Sequence, residues 1–182
     1  LYLDPDTLIL NSIRELYDTD LNGYLYAGCI HTGLTNFSGQ INKVRLNTYD
    51  AEGYYNSGVL LMNLSAQREQ VREADILVYM EQHRYELILP DQDILNGLYG
   101  DKIKPLDDSL YNYDVHKYET YRMVSAGEKN MDWVMRNTVV IHFCGRDKPW
   151  LKPNRNRLGV LHKHYSALME RNVRCMEPVH AR

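Results

Sequence analysis

The sequence predicts an α/β fold, because short apolar segments of strand character alternate with segments whose apolar residues recur at helical spacing. Strands are expected over residues 1–3, 7–10, 25–30, 58–64 and 139–143. Helices are expected over residues 11–17, 91–98 and 158–169, and in a further segment that follows residue 65 and extends to residue 80. The chain has 182 residues, which is enough for one domain with a hydrophobic core.

Local signals justify these elements in chain order. An acidic turn, Asp4-Pro5-Asp6, separates the first two strands. The segment after the strand at 25–30 is predicted to be a loop, which holds Gly33, Asn36, Ser38 and Gly39. Residues 58–64 are continuously apolar, as is typical of a central strand. Ser65 is expected to cap the next helix, whose apolar face extends to Met80.

The composition excludes several classes of protein. Hydrophobic residues make up 44% and charged residues 25%, which is ordinary for a globular domain, and a net charge of -3 gives no reason to expect a nucleic-acid partner. No apolar run reaches the roughly 18 residues of a membrane span, and no cleavable signal is recognised. The three cysteines are odd in number and lack metal-site spacing, which indicates reduced thiols in the cytoplasm: Cys29, Cys144 and Cys175.

Two carboxylates and one imidazole at strand ends form a candidate metal site. Asp4 and Asp6 lie two residues apart after the first strand, and His142 lies near the end of the run 139–143. Oxygen and nitrogen ligands together suit a divalent cation such as Mn²⁺, which would neutralise a diphosphate. Two alternatives stay open on these residues alone: a Pro-containing turn that Asp stabilises, and a half-buried histidine without a ligand role.

Four segments occur in an order that resembles one known family. They are Tyr2 to Asp6, Tyr54 to Leu64, Leu89 to Asn96 and His142 to Trp150. With these segments in this order, the chain from Leu1 to Trp150 resembles the family 8 glycosyltransferases. That family includes bacterial lipopolysaccharide galactosyl- and glucosyltransferases and glycogenin.

The resemblance implies a GT-A type nucleotide-diphospho-sugar transferase fold, with a mixed, mostly parallel sheet flanked by helices. In that family, a part that grips the nucleoside precedes the first of the four segments. Because this chain has no initiator Met and starts within a strand, we expect residues 1–182 to be the C-terminal portion of a single glycosyltransferase domain. Residues 1–150 would carry the catalytic motifs and residues 151–182 a basic helical tail, and the sheet would keep an open edge.

The resemblance also implies which residues hold the metal and the phosphates. Asp4, Asp6 and His142 would coordinate Mn²⁺, with Mg²⁺ as the alternative, and the ion would act as a Lewis acid on the leaving diphosphate. Asp4 would also contact the donor. Gly145 and Lys148 would bind the phosphates, because Gly lets the backbone approach and Lys supplies a point charge. An ordinary glycine turn with a solvated lysine is the alternative.

Two further segments are expected to bind the donor sugar and to support catalysis. Asn56, Ser57 and Gly58 would line the sugar pocket, where an amide offers both donors and acceptors to hydroxyl groups. The resemblance implies that Asp91 holds sugar hydroxyls and that Gln92 places its amide oxygen below the anomeric carbon, which makes these two the predicted catalytic residues. Because a neutral amide is a poor nucleophile, electrostatic support of an oxocarbenium-like state is favoured over a covalent intermediate.

The alternatives for the sugar-site residues are structural roles. A strand-entry turn is the alternative for residues 56–58, and a helix N-cap is the alternative for Asp91. Asp93 is predicted to be structural or to orient its neighbours. The segment from Cys29 to Gln40 is expected to form the acceptor pocket, where His31 departs from the acid found in some galactosyltransferases. One group of tyrosines would either cover the site or form a surface loop: Tyr111, Tyr113, Tyr118 and Tyr121.

The predicted function is metal-dependent, retaining transfer of glucose or galactose from a UDP-sugar to a glycan or lipid-linked saccharide acceptor. The tail is expected to reach anionic lipid or to form a solvated helix face, which would make the protein cytoplasmic and peripheral on the inner membrane face. Its basic residues are Lys152, Arg155, Arg157, Lys163, Arg171, Arg174 and Arg182. The open alternatives are a metal-dependent nucleotidyltransferase or phosphohydrolase and a non-catalytic sugar-nucleotide-binding protein.

Overall fold

The computed structural model of the protein describes residues 1–30, 37–151 and 156–176. The strands of this part are β1 (Tyr2–Leu3), β2 (Thr7–Ile9), β3 (Tyr26–Ile30), β4 (Tyr55–Met62), β5 (Ile103–Leu106), β6 (Tyr113–Asp114) and β7 (Val140–His142). The helices are α1 (Arg14–Tyr17), α2 (Phe37–Arg45), α3 (Leu64–Gln70), α4 (Glu73–Gln82), α5 (Pro90–Tyr99), α6 (Asp108–Tyr111), α7 (Tyr118–Val124), α8 (Met131–Asn137) and α9 (Gly159–Met176).

The strands form two mixed sheets that meet at the acidic turn. The larger sheet has the order β1-β4-β3-β5 and the smaller one the order β2-β7-β6. The Asp4 amide donates to the Gly58 carbonyl at 2.8 Å and extends the β1–β4 ladder. The Asp6 carbonyl accepts from the Phe143 amide at 2.9 Å beside the β2–β7 ladder. The turn between β1 and β2 is therefore tied to both sheets.

The expected α/β class is confirmed, but the expectation of a mostly parallel sheet is wrong. Among the pairings of the described strands, β1–β4, β3–β4 and β2–β7 are antiparallel, and β3–β5 and β6–β7 are parallel. The continuous apolar sequence of β4 is typical of a parallel strand, and β4 has this sequence because it is covered on both faces. Val59 packs in one hydrophobic cluster and Leu60 in another, since successive strand residues point to opposite faces.

Three hydrophobic clusters form the core. One lies on the larger sheet beneath α5 and contains Leu25, Tyr26, Tyr55, Leu60, Leu95 and Ile103. One packs the smaller sheet against α7, α8 and the start of α9 and contains Tyr113, Val115, Tyr121, Val134, Ile141, Phe143 and Leu158. The third contains Leu16, Val59, Val139 and Val140, and it joins β4 of the larger sheet to β7 of the smaller one. This shared packing fixes the two sheets relative to each other.

Two of the expected helical details are wrong. Asn63, not Ser65, caps α3, because its side chain accepts from the Ala66 amide at 3.2 Å. The helix predicted to extend to Met80 is two helices, since Val71 is extended, with φ -94 and ψ 120, between α3 and α4. Val71 turns its side chain toward the cluster beneath α5, and that burial competes with helix continuation. The apolar residues Leu77, Val78 and Met80 are exposed, so the expected apolar face of α4 is not buried by the described residues.

The segment around the tyrosines also differs from expectation. Tyr113 and Tyr121 are neither a cover nor a surface loop, because both are buried and their ring centroids lie 4.5 Å apart. The Tyr121 hydroxyl donates to Asp108 at 3.0 Å. Residues 38 and 39 belong to α2 rather than to a loop, whereas Gly33 and Asn36 of the expected loop lie outside the described residues. The expected α5 and terminal helix are confirmed.

Two cysteines of the described part are free thiols. Cys29 is buried in β3, and burial raises the pKa of its thiol well above the usual range. Burial also raises the pKa of Cys144 to about 12. Both therefore stay protonated and unreactive at neutral pH, because the thiolate is the reactive form. The helices of the described part include none that is long and apolar enough to cross a lipid bilayer.

Candidate metal and donor-sugar site

The acidic segment is a turn, and it also presents both carboxylates. The Thr7 amide and hydroxyl donate to the Asp4 carbonyl at 3.1 and 2.7 Å, which closes the turn. The Tyr2 hydroxyl donates to Asp4 Oδ1 at 2.8 Å and orients that carboxylate. The two interpretations of this segment, a turn and a metal site, are thus compatible, since the turn brings Asp4 and Asp6 to one place.

Asp4, Asp6 and His142 form a cluster whose donor atoms fit a divalent metal ion. One ligand atom from each residue lies within 4.8 Å of the others. His142 Nε2 is 3.3 Å from Asp6 Oδ1 and 3.8 Å from Asp4 Oδ2. Adjacent ligands of an octahedral ion with bonds of about 2.1 Å lie roughly 3 Å apart. His142 Nε2 and the Asp6 oxygen already lie near this spacing, whereas the Asp4 oxygen would have to move closer to share the same ion. Two oxygens with one nitrogen suit Mn²⁺ or Mg²⁺.

The surroundings of His142 favour the neutral form that ligates metals. Burial lowers the pKa of His142, against the opposing pull of the Asp6 and Asp4 carboxylates. Its Nδ1 lies 2.8 Å from Oδ1 of the buried Asn112 side chain. A metal-ligating histidine commonly donates its other ring N–H to an oxygen in this way.

Gly58 packs directly against the side chains of the cluster and leaves no room for a Cβ atom. A Cβ atom at this position would overlap Cε1 of His142 and would lie 2.8 Å from Asp4 Oδ2 and 3.0 Å from Asn56 Oδ1. The sequence hypothesis gave Gly58 the role of leaving space for the ligand. The space that it leaves is filled, in the described structure, by the metal-site side chains themselves.

The loop after β7 brings Lys148 to the same cluster. Lys148 Nζ contacts Asp6 Oδ2 and donates to the Phe143 carbonyl at 2.9 Å. Gly145 has φ +73, a conformation that favours glycine, and a Cβ there would meet nothing within 4 Å. The predicted phosphate-binding residues are therefore a glycine in a backbone conformation that favours glycine and a lysine whose ammonium group lies directly beside a candidate metal ligand.

The predicted donor-sugar residues lie together in one hydrogen-bond network. Gln92 Oε1 accepts from the Asn56 side-chain amide at 2.9 Å and from the Ser57 backbone amide at 3.3 Å. The Ser57 hydroxyl donates to Asp91 Oδ2 at 2.8 Å. Asn56 Oδ1 accepts from the Gly58 amide at 2.9 Å. The first turn of α5 thus packs against the start of β4, and Asp91 is not the N-cap, which is Leu89 without a side-chain bond.

Asp93 holds the first turn of α5 in place through several hydrogen bonds. The Arg45 guanidinium donates to both of its carboxylate oxygens, at 2.6 and 2.9 Å. The Tyr54 hydroxyl and the amides of Ile88 and Leu89 complete its partners at 2.5, 2.6 and 3.0 Å. Burial alone would raise the pKa of Asp93, but these donors outweigh it and hold the pKa at about 2. The expectation that Asp93 is structural is consistent with these contacts.

Sequence reasoning missed two buried asparagines. Asn96 pairs with the Tyr55 backbone through both side-chain groups, at 2.6 and 2.7 Å, and joins α5 to β4. Its position one helical turn after Gln92 was a usable signal. Asn112 donates to Asn56 Oδ1 at 2.8 Å, and it stands between two tyrosines with no periodic pattern to mark it. Of the expected acceptor segment, His31 and Thr32 lie outside the described residues.

Comparison with known proteins gives a consistent result. The family described as glycosyl transferase family 8 matches residues 1–153. General stress protein A of Bacillus subtilis is 26% identical over 95% of this chain and 60% of its own length. The lipopolysaccharide glucosyltransferase WaaO of Escherichia coli is 31% identical over 82% of this chain and 43% of its own length.

The fold is shared with solved glycosyltransferases. The galactosyltransferase LgtC, in complex with donor and acceptor sugar analogs, superposes with a TM-score of 0.71 at 27% identity. A structure of an LgtC active-site mutant reaches 0.73 at 28% identity. Both superpositions cover 92% of this chain and 60% of LgtC. The chain thus spans 60% or less of the length of these relatives.

Proposed function

The chain belongs to glycosyl transferase family 8, and on that premise we propose that it is part of a metal-dependent, retaining hexosyltransferase. The donor is a UDP-sugar that carries glucose or galactose, and the acceptor is a glycan or lipid-linked saccharide of the lipopolysaccharide type. The proposal is supported by relatives that are named as lipopolysaccharide glucosyltransferases and by the LgtC complex with donor and acceptor sugar analogs.

The observation that carries the proposal is the convergence of two sites on Gly58. The candidate metal cluster contacts Gly58 from one direction, since its Cβ position is occupied by His142 and Asp4. The candidate sugar-binding network begins at its amide, which donates to Asn56 at 2.9 Å. A sugar diphosphate presents the same two neighbours, a charged diphosphate and a hydroxyl-rich ring. A site for phosphate chemistry alone needs the metal cluster but not the adjoining amides.

In this proposal the metal-binding residues and Lys148 bind and neutralise the diphosphate. Asp4, Asp6 and His142 hold a divalent cation, Mn²⁺ with Mg²⁺ as the alternative, which when bound neutralises charge on the leaving UDP. Lys148 adds a positive charge beside Asp6 and binds a diphosphate oxygen. The turn at Gly145 lets the backbone approach the same phosphates.

In this proposal the Asp91 carboxylate and the Gln92 amide, both on α5, interact with the sugar. Asp91 accepts from sugar hydroxyls, and its bond to the Ser57 hydroxyl keeps that carboxylate in place. Gln92 Oε1 already accepts two N–H donors, which fixes the direction of its dipole and weakens it further as a nucleophile. We therefore assign Gln92 an electrostatic role at the anomeric carbon, and we expect retention without a covalent intermediate on this residue.

The direct test is donor turnover by the full-length protein that carries this chain. Purified protein is incubated with UDP-glucose or UDP-galactose and an acceptor mixture, with and without Mn²⁺, and UDP and phosphate are both quantified. The proposal requires UDP release that depends on Mn²⁺ and is lost in Asp6→Ala. Release of sugar 1-phosphate with UMP, or of inorganic phosphate, without sugar transfer would identify a phosphohydrolase. Formation of UTP and sugar 1-phosphate on addition of pyrophosphate would identify a nucleotidyltransferase. UDP-sugar binding without turnover at saturating donor would identify a non-catalytic binding protein.

We also propose a cytoplasmic protein that contacts the inner membrane face through its C-terminal helix. Trp150 and Leu151 are both about half exposed before α9, at 52% and 51%. On α9 itself the apolar residues Tyr165, Met169 and Val173 recur every four residues and are exposed at 37%, 63% and 51%. Exposed apolar and basic residues on one helix suit an interface of anionic lipid. Several basic residues of the expected tail lie outside the described residues, namely Lys152, Arg155 and Arg182.

A further inference from the structure

We propose that Asn112 is a positioning residue that couples the metal cluster to the donor-sugar site, an inference that rests on the function proposed above. Asn112 follows α6 and is fully buried. It belongs to none of the four sequence segments that carry the family resemblance. Its side chain nevertheless bridges the two sites, with Nδ2 on Asn56 Oδ1 at 2.8 Å and Oδ1 on His142 Nδ1 at 2.8 Å.

The orientation of every amide in this chain of bonds follows from one backbone group. The Gly58 N–H is a fixed donor, and it meets Asn56 at 2.9 Å, so the Asn56 atom that faces it is the carbonyl oxygen. The Asn56 amino group therefore faces Gln92, 2.9 Å away. Gln92 must present its oxygen there, and the Ser57 N–H at 3.3 Å requires the same orientation.

The same reasoning continues toward the metal cluster. Asn112 faces the Asn56 oxygen, so the Asn112 atom at that end is the amino group. Its oxygen then faces His142 Nδ1, and since an amide oxygen only accepts, Nδ1 carries the proton. Nε2 is left with a lone pair directed toward Asp4 and Asp6, at 3.8 and 3.3 Å. The polarity set by Gly58 thus selects the histidine tautomer that binds a metal.

Two functional consequences follow from the bridge. Without the Asn112 oxygen, the His142 ring loses the acceptor that fixes its tautomer and rotation, and such losses typically weaken metal binding by about 10–100-fold. Without the Asn112 amino group, Asn56 loses one of its two donors, so the amide that orients Gln92 is less restrained. The two halves of the bridge are chemically separable, because one accepts and the other donates.

Two substitutions use that separation. Asn112→Asp keeps an acceptor for His142 but sets a second oxygen against Asn56 Oδ1. It should retain Mn²⁺ affinity within about threefold, while the preference for UDP-sugar over UDP falls roughly tenfold. Asn112→Leu removes both functions at similar volume, so Mn²⁺ affinity should fall by about 10–100-fold as well. Thr138→Val is the matched control, because it deletes another fully buried hydrogen bond to the α6 segment, 2.9 Å from Thr138 Oγ1 to the Ser109 carbonyl.

The measurements are calorimetric titrations of Mn²⁺, UDP and UDP-sugar into the full-length protein, together with ¹⁵N NMR of labelled histidine in its metal-free form. Wild type and Asn112→Asp should show His142 protonated at Nδ1, and Asn112→Leu should show a tautomer mixture. Thr138→Val should lower Tm and leave both affinities unchanged. An Nε2–H tautomer in wild type, or Asn112→Leu with wild-type Mn²⁺ affinity, overturns the inference alone. Wild type that binds no Mn²⁺ overturns the proposed function and this inference with it.

Discussion

Gly58→Ala is the sharpest test of the candidate metal site, because it adds one methyl group and removes no ligand. The new Cβ would lie 2.8 Å from Asp4 Oδ2, whereas ordinary contacts begin at 3.4 Å. Asp4 would have to move by ~0.6 Å, and His142, whose Cε1 the methyl would overlap, by more. Productive metal–ligand distances tolerate only about ±0.2 Å. The methyl group therefore displaces two of three ligands beyond that tolerance.

The expected magnitude follows from that displacement. We expect Mn²⁺ affinity to fall by at least 10–100-fold, or about 1.4–2.7 kcal/mol. Overpacking should cost a further 1–3 kcal/mol or so of unfolding free energy. Isothermal titration with Mn²⁺ measures the first effect and thermal unfolding the second. Gly28→Ala on the adjacent strand is the control, since its Cβ would press on the flexible Leu60 side chain at 3.1 Å and should leave Mn²⁺ affinity unchanged.

The outcome that refutes the reasoning is specific. If Gly58→Ala is folded and binds Mn²⁺ as tightly as wild type, the cluster of Asp4, Asp6 and His142 is not the metal site. If both glycine variants lose Mn²⁺ affinity equally, the loss comes from the sheet and not from the cluster.

Three further predictions test the neighbouring residues. Lys148→Ala should weaken UDP binding by roughly ten- to a hundredfold through loss of one charge-assisted contact. As a control, substitution of the exposed neighbour, Arg146→Ala, should leave the calorimetric UDP affinity unchanged. Equal effects of the two substitutions would refute a specific phosphate role for Lys148. Gln92→Ala should lower kcat sharply with little change in donor affinity, and NMR of the product should show the donor's anomeric configuration; inverted product would contradict the electrostatic role. The pKa of Asp93, about 2 in the folded protein, lies below its unfolded value of about 3.9. Its stabilisation is therefore present above pH 4 and is lost as pH falls toward 2. Asp93→Asn should be less stable by about 3 kcal/mol at neutral pH and should show a flatter acid-unfolding curve, and an unchanged curve would exclude the carboxylate as the titrating group.

Several local elements of the fold were readable from the sequence, but their pairing was not, and β5, β6 and the helices α6 to α8 were not predicted. The turn at Asp4-Pro5-Asp6 and the helix from Pro90 follow from proline, nearby acidic residues and apolar spacing within a few residues. The antiparallel direction of β4 depends on strands at a distance, and its continuous apolar run is the same for either direction. The break at Val71 likewise has no glycine or proline to mark it, since burial of one side chain decides it.

The residues of the candidate site likewise divide into those that local sequence features predict and those that depend on distant contacts. Asp4, Asp6 and His142 were candidates because their donor chemistry and their position at strand ends are both local properties, the family resemblance selected the metal interpretation, and the structure brings the three together. Asn112 was not predictable, because its partners His142 and Asn56 lie 30 and 56 residues away. Tyr113 was misplaced for the same reason, since a polar-looking segment is buried only once β6 pairs with β7.

The position of Gly58 explains why these local and distant contributions form one site. Its carbonyl accepts from Asp4 in the β1–β4 ladder at 2.8 Å, and its amide donates to Asn56 at 2.9 Å. Backbone groups cannot exchange donor and acceptor roles, so both directions of bonding are fixed by the fold before any ligand binds. The side-chain amides of Asn56 and Asn112 then carry that fixed polarity to Gln92 on one side and to His142 on the other. Preorganised dipoles of this kind stabilise developing charge without a reorganisation cost, so a rigid β4 strand is itself a requirement of the proposed transfer.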